Sequence, residues 1–442
     1  MADELAQILI KQYDSLVTQR QTWESHWQEV ADYVVPRKAD VTKNRSPGDK
    51  RSELVFDGTA ILAAELLAAS LHGMLTNGST SWFGLRFSDD ELNGDDEAKE
   101  WLQSVEDVMY QAFNRSNFQE QIAELYLDLV TFGTAVMFVD KDDEQQIRFS
   151  TRHIKECFLS EDDKGRVDTV FRKFKMPARA ALKKFGDEKF NSKILQKANE
   201  NPYEQLTLIH AVYPRDERDI TKATAENKPF ASIYIEPEEK AVLSESGFDE
   251  FCYMAPRFSK SSFELGYGRS PSMTALADIK MLNRMSEVTI RAAQKQVDPP
   301  LLVPDDGFML PVRTVPGGLN FYRSGTRDRI EPLKIGANNP LGLNMEEQRR
   351  KAIRAAFYVD QLILGEGPQM TATEVVQRTE EKMRLLGPLT GRLSQELLQP
   401  LISRVYNILS RQQAFAAAPD FMLNQNLEII YVSPLAKAQR QG

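Results

Sequence analysis

Gly268-Arg269-Ser270-Pro271 opens a stretch, PSMTALADIKMLNRMSEVTIRAAQKQV (271–297), that Asp298-Pro299-Pro300 closes. No glycine and no further proline interrupts it. Ser270 predicts an N-cap, because its hydroxyl can take a free N–H of the first turn. Pro271 suits the first helical position, where a missing N–H costs nothing. Lys280, Arg284, Arg291 and Lys295 are spaced 4, 7 and 4 apart. At 100° per residue they fall within an arc of roughly 60°. Glu287 is the only acid near that arc, and Leu276, Ile279, Met281, Met285 and Ile290 point elsewhere. The spacing predicts one long helix with a basic face and apolar faces that can pack. The basic face reads either as a solvated surface or as a phosphate-facing or intersubunit salt-bridge seam.

Working outward, residues 301–335 read as short strands broken by Gly317-Gly318 and prolines. A second helix is predicted over about 343–360, where Arg349, Arg350, Lys351 and Arg354 repeat the basic theme. Gly365-Glu366-Gly367-Pro368 reads as a loop, and a long broken helix follows over about 371–413. Upstream, residues 1–265 read as an α+β region. Leu9, Tyr13, Leu16, Trp23, Trp27 and Val30 recur at helical spacings until Pro36 stops the run. The basic stretch 37–53 reads as a loop. AILAAELLAASLHGMLT (60–76) is a small-residue helix that Asp57 or Thr59 could cap. SWFGLRF (81–87) reads as extended, with helices over 97–115 and 118–132 after it. Strand patterns follow at TAVMFVD, over 147–175 with a turn at Asp162, Asp163 and Gly165, and at LTLIHAVYP, PFASIYIEP and EFCYMAPRF. A charged helix over 177–199 interrupts them.

The composition narrows the chemistry. The chain has 442 residues and 55 basic against 64 acidic side chains, so a net charge of -9 argues against tight coating of DNA. Two cysteines, Cys157 and Cys252, exclude a disulfide framework. No window is apolar enough to cross a membrane. No phosphate-binding GxxxxGK[ST] loop, nucleophile elbow or HExxH motif occurs. His153 and Cys157 lack the further ligands a zinc site needs. Asp140, Asp142, Asp143 and Glu144 lack the glycine and terminal glutamate of a calcium loop and read as a hairpin turn. No cofactor, metal or catalytic residue is expected.

Several strings, in order, carry a resemblance. They are Phe56-Asp57-Gly58-Thr59-Ala60, Leu71-His72-Gly73, Thr76-Asn77 before Trp82-Phe83, and Tyr126-Leu127-Asp128 with Phe132-Gly133-Thr134-Ala135. Then come Gly268-Arg269-Ser270-Pro271, Ala277-Asp278-Ile279-Lys280, Leu282-Asn283, Pro299-Pro300, Met370-Thr371-Ala372-Thr373-Glu374-Val375 and Tyr431-Val432-Ser433-Pro434-Leu435-Ala436. By their order and spacing the chain resembles the portal proteins, or head-to-tail connectors, of short-tailed T7-like bacteriophages. Gly78 stands where such proteins often carry proline, which touches only a turn.

The resemblance implies the portal fold: an α/β wing (1–265), a first stem helix (266–297), a small β-containing clip (298–342) and a second stem helix (343–360). A tunnel loop (361–370), a long wing helix with a returning strand (371–432) and a crown-directed helix cut short (433–442) would complete it. It implies a non-enzymatic ring, of twelve subunits, at one capsid vertex in the virion, assembled in the bacterial host cytoplasm. Such a ring conducts double-stranded DNA without reading its sequence. Its partners would be the terminase motor, a tail adaptor, capsid and scaffolding proteins and internal core proteins, with no membrane. Lys280, Arg284, Arg291, Lys295, Arg349, Arg350 and Arg354 would line the channel or bridge subunits, and Gly365, Glu366, Gly367 and Pro368 would form the tunnel loop. The competing readings are another connector ring component and a metal-dependent nucleic-acid enzyme built on the Asp140 cluster.

Overall fold

The computed structural model describes residues 2–46, 48–222, 224–303, 340–362, 387–419 and 427–431, together with 311, 312, 321 and 330–333. Most of 298–342, the Gly365-Glu366-Gly367-Pro368 loop, residues 371–386 and 433–442 lie outside the described residues. The architecture is α+β, as the sequence predicts.

Helix α1 (Ala2–Val34) serves two cores. Ala6, Leu9 and Tyr13 pack on Phe158, Phe171, Ile209 and Ile233 of a sheet. Farther along, Trp27, Val30, Ala31 and Val34 enter the main core. The chain turns at Pro36, where the helix ends. In α2 (Thr59–Leu75), Ala60, Ala63, Ala64, Leu67, Ala68 and Leu71 are buried, so the small residues do allow close packing, chiefly on α4 (Phe118–Phe132). Gly58 holds the N-cap position, not Asp57 or Thr59. The Asp57 carboxylate still accepts the Thr59 N–H at 2.8 Å, two residues on, as an Asx turn does.

Between α2 and α4, β1 (Phe83–Phe87) and α3 (Asp96–Arg115) build an aromatic cluster. Trp82, Phe83, Phe113, Phe118 and Phe149 meet with ring centroids 4.7–6.0 Å apart. Strands β2 (Val136–Asp142) and β3 (Gln146–Arg152) form the expected hairpin, and the short β9 (Tyr253–Met254) joins them. A five-stranded antiparallel sheet holds β4 (Cys157–Glu161), β5 (Val167–Pro177), β6 (Gln205–Pro214), β7 (Phe230–Glu236) and β8 (Ala241–Phe248) in chain order. Sequence reading misses β8, whose Ser244, Glu245, Ser246 and Gly247 dilute the strand signal. It also predicts one helix over 177–199. The structure has two, α5 (Ala178–Phe185) and α6 (Ser192–Glu200), because Gly186 sits at φ 87°, outside any helix.

Helix α7 (Pro271–Val297) has the predicted bounds, and Ser270 Oγ accepts the Met273 N–H at 3.0 Å. Beyond it, the two-residue strands β10 (Leu301–Leu302) and β11 (Glu331–Pro332) pair antiparallel. The next described helix, α8 (Pro340–Ala356), begins before residue 343 and ends before 360. Tyr358 adopts a left-handed φ of 58°, breaking the run before the short α9 (Val359–Leu362). Farther on, α10 (Gly387–Leu393) and α11 (Gln399–Arg411) are joined by a π-helical turn, Ser394–Leu398. The last described strand, β12 (Leu427–Tyr431), pairs antiparallel with β1.

Two of the quoted strings meet where α7 begins. Gly133 ends α4 at φ 77°, and a Cβ there would lie 2.3 Å from the Gly268 carbonyl oxygen. A Cβ on Gly268 would lie 2.8 Å from the Gly133 carbonyl oxygen. Around this joint the Gly268 N–H donates to Thr134 Oγ1, Ser270 Oγ to the Thr131 carbonyl and Ser272 Oγ to the Val130 carbonyl, each at 2.8 Å. The two serine bonds close open C-terminal carbonyls of α4 with the N-cap and first turn of α7.

Nearby, Lys38 reaches Asp128 at 2.5 Å and Glu124 at 2.8 Å. Burial pushes the Asp128 carboxyl up to about 6, with Lys38 opposing it. Burial, with Lys38 adding to it, pushes His153 down to about 4. The two groups act oppositely on stability. As pH falls from about 6.5 to 4 the unfolded chain protonates its histidine first, so His153 costs stability. Over about 6 to 4 the folded carboxyl protonates first, so Asp128 returns some of it. Asp128→Asn is therefore expected to steepen the acid loss of the thermal midpoint between pH 6.5 and 4. A slope equal to that of the parent protein would refute this account.

Candidate functional site

The candidate site is the α7–α8 pair. Its environment changes along α7. Met273, Ala275, Leu276, Ile279, Leu282, Asn283 and Ser286 are buried against the body. From Val288 through Asp298 every residue is exposed, including Val288 at 53 %, Ile290 at 43 % and Val297 at 88 %. The helix thus leaves the body with apolar side chains still on it.

Three contacts tie the pair to itself and to α2. Thr289 Oγ1 donates to Glu346 at 2.6 Å. Arg349 pairs with Asp278 at 2.7 Å. Arg350 bridges Asp57 at 3.0 Å and Glu346 at 3.1 Å. Burial alone would raise the Asp57 carboxyl, but the Thr59 hydrogen bonds and Arg350 outweigh it and hold it below its ordinary value. Asn283 completes the knot. Its Oδ1 accepts the N–H groups of Phe56 at 2.8 Å and Asp57 at 3.2 Å, and its Nδ2 donates to the Ile279 carbonyl at 2.9 Å. Asn283 and Asp57 are site residues that the helical pattern does not single out. Both stand in the quoted strings, Phe56-Asp57 and Leu282-Asn283, and Asn283 is an amide on an otherwise apolar face.

The predicted basic residues do gather on this pair, but most are neutralised within the chain. Lys280 bonds to Glu29 of α1, which holds its pKa above the ordinary value. Arg284 and Arg291 share Glu287 at 2.7 and 2.6 Å. Lys295 has no ion-pair partner among the described residues. On α8, Arg349 and Arg350 are paired as above, and Arg354 reaches Asp360 at 3.4 Å. Four cations on α7 less Glu29 and Glu287 leave a net charge of two. That is a mild positive field, not a grip.

Because Lys280 and Glu29 are each nearly half exposed, their bridge is worth about 0–1 kcal/mol. Lys280→Glu is expected to shift monomer stability by no more than that, and Glu29→Lys in the same chain to restore it. Loss of assembly that the swap does not restore would mean that Lys280 meets another subunit.

His153 and Asp142 each hold a local backbone turn. His153 Nδ1 accepts the Lys155 N–H at 3.1 Å, and Nε2 lies 3.2 Å from the Lys38 carbonyl. Asp142 Oδ1 accepts the N–H groups of Glu144 and Gln145, forming the turn between β2 and β3. Among the described residues no cluster of His, Cys, Asp and Glu could hold a metal ion. Cys157 and Cys252 are free and buried.

A family model described as "Bacteriophage head to tail connecting protein" matches residues 6–442. The chain is 32 % identical over 445 residues to the probable portal protein of Bordetella phage BPP-1, covering 98 % of this chain and 80 % of that one. It is 30 % identical over 450 residues to the portal protein of Salmonella phage epsilon15, covering 100 % and 81 %. Against the portal protein of Enterobacteria phage T3 the identity is 22 % over 430 residues, covering 92 % and 75 %. Among solved structures, a chain from the neck of an empty gene transfer agent particle aligns with a TM-score of 0.42 at 12 % identity, covering 87 % of this chain and 84 % of that one.

Proposed function

Since the chain belongs to the bacteriophage head-to-tail connecting protein family, we propose that it is the portal at one vertex of a phage capsid, a structural ring through which double-stranded DNA enters and leaves. The observation that carries this reading is the exposed end of α7. Val288, Ile290 and Val297 have left the body of their own chain, and a helix with apolar residues in open solvent calls for neighbours. A cyclic ring gives each subunit two different interfaces, which suits a helix that packs in several directions. Twelve subunits, docking of the terminase and later of a tail adaptor, contacts with capsid, scaffolding and internal core proteins, and assembly in the host cytoplasm belong to the same proposal. So does a structural rather than catalytic role.

In this reading α7 and α8 are the stem, and the basic residues face the channel or a neighbour. A net charge of two per α7 on an acidic chain would steady a duplex through its phosphates without base readout and without holding it. Gly365-Glu366-Gly367-Pro368 would be the tunnel loop. Negative-stain imaging and light scattering of the purified protein test the proposal, with rings of about twelve subunits expected. A strict monomer at micromolar concentration would overturn it.

A further inference from the structure

One face of the five-stranded sheet carries a row of polar side chains in register: Cys157 on β4, Arg172 on β5, His210 on β6 and Tyr234 on β7. The opposite face, with Phe158, Phe171, Ala211 and Ile233, is apolar and covered by α1. The polar row faces β2 and β3 from one side and the end of α5 from another. His210 stacks on Tyr234 with centroids 4.1 Å apart, and its ring nitrogens meet Ser232 Oγ at 2.9 Å and Tyr253 Oη at 3.1 Å. Lys184, at the end of α5, places its ammonium 4.1 Å from the Tyr234 ring centre. Phe138 of β2 packs edge-on against His210, and Arg152 lies 6.0 Å above the Phe138 ring.

Lys184 and Arg152 thus border this group of rings, and Arg172, beside His210 in the register, lays its guanidinium 4.1 Å from the Phe174 ring centre. Two carboxylates stand near them. Glu156 is engaged by Arg172 at 2.8 Å, and Asp140 is approached by Arg404 at 3.7 Å. The Arg152 side chain has neither a hydrogen bond nor an ion pair among the described residues, and its Nε is buried with no acceptor. Burial depresses the Arg152 guanidinium and the Arg172 charge depresses it further. Lys184 is lowered by the same two causes. The cations repel one another and are not balanced.

A buried guanidinium donor without an acceptor is costly, and natural structures supply it with a partner. We propose that Arg152, Arg172 and Lys184 form a binding site for a small phosphate-class oxyanion, with Arg152 as the deep donor and Lys184 at the mouth. A tetrahedral oxyanion offers several acceptor oxygens, suiting two guanidinium groups and an ammonium. His210 has both ring nitrogens occupied and serves as a wall, not a ligand. The site would be served by free phosphate or by a phosphate of a nucleic-acid backbone.

Inorganic phosphate is the probe. Titrated into the intact protein at constant ionic strength, it is expected to raise the thermal midpoint saturably, while chloride is not. Lys184→Gln, on the exposed mouth, is expected to weaken phosphate by about tenfold or more. Arg152→Gln is expected to abolish the phosphate shift. Adding a short DNA duplex identifies the source: displacement of phosphate assigns a backbone phosphate, and unchanged phosphate binding assigns the free ion. A midpoint that responds to phosphate no more than to chloride would overturn the site. So would a response that Lys184→Gln leaves intact.

Discussion

Gly133→Ala is expected to cost about 2–5 kcal/mol and to leave little soluble folded protein. Two separate penalties combine. At φ 77° an alanine pays roughly 1–2 kcal/mol for the left-handed backbone. Its Cβ would also fall 2.3 Å from the Gly268 carbonyl oxygen and 2.6 Å from the Arg269 carbonyl carbon. Those atoms are backbone held by the Thr134, Thr131 and Val130 bonds, so they cannot step aside without moving the start of α7. Overpacking of this kind costs about 1–3 kcal/mol or more. Gly73 is the control. It lies inside α2, where an added Cβ would meet nothing within 4 Å, and Gly73→Ala is expected to stabilise by about 0.5–1 kcal/mol. Denaturant unfolding of both variants decides. A Gly133→Ala protein within about 1 kcal/mol of the parent would show that the joint is soft.

Arg257→Met is expected to destabilise by about 3–5 kcal/mol. Arg257 is 1 % exposed. Its guanidinium pairs with Glu161 and donates to the Gly165 carbonyl at 2.9 Å. It also takes both carboxylate oxygens of Glu396 at 2.7–3.0 Å. Glu396 stands on the π-helical turn between α10 and α11, so one side chain ties β4, the approach to α7 and the C-terminal helices together. Methionine keeps much of the volume and strands the two carboxylates, of which Glu161 retains, among the described residues, only Lys260, at 2.6 Å. Adding Glu396→Leu is expected to recover a substantial part of the loss, since an apolar pair can replace a buried ionic one. The exposed bridge Arg86–Glu428, 2.7 Å long, is the contrast and is worth about 0–1 kcal/mol. If the double variant were as unstable as Arg257→Met alone, stranded charge would not be the cause.

The sequence is most legible where a local rule acts alone. Ser270 and Pro271 set the start of α7, and Asp298-Pro299 its end, with no help from the rest of the chain. Gly186 and Tyr358 show the limit. A glycine inside a charged helical pattern looks tolerable until its φ is known, and nothing in a tyrosine announces a left-handed backbone. The π-turn at Ser394–Leu398 likewise leaves no mark in the helical periodicity. For the site, the arc of Lys280, Arg284, Arg291 and Lys295 is visible, but its neutralisation by Glu29 is not. That acid comes from α1, far away in sequence. The Arg152, Arg172 and Lys184 cluster is hidden for the same reason, since each residue comes from a different element.

The division of α7 into a buried part and an exposed part has a mechanical consequence. A helix clamped near its start and free at its far end is a lever. The glycine joint with Gly133 is the fulcrum, and the Asn283–Asp57–Arg350 knot is a stay partway along the arm. The free arm from Val288 to Val297 is about 15 Å long at 1.5 Å per residue. Measured from the knot at Asn283 the arm is about 21 Å, so a tilt of about 5° there moves the tip by ~2 Å. Force applied at the tip travels back along the helix, and the ties it meets are first Thr289, bonded to Glu346 of α8, and then Asn283, bonded to Phe56 and Asp57.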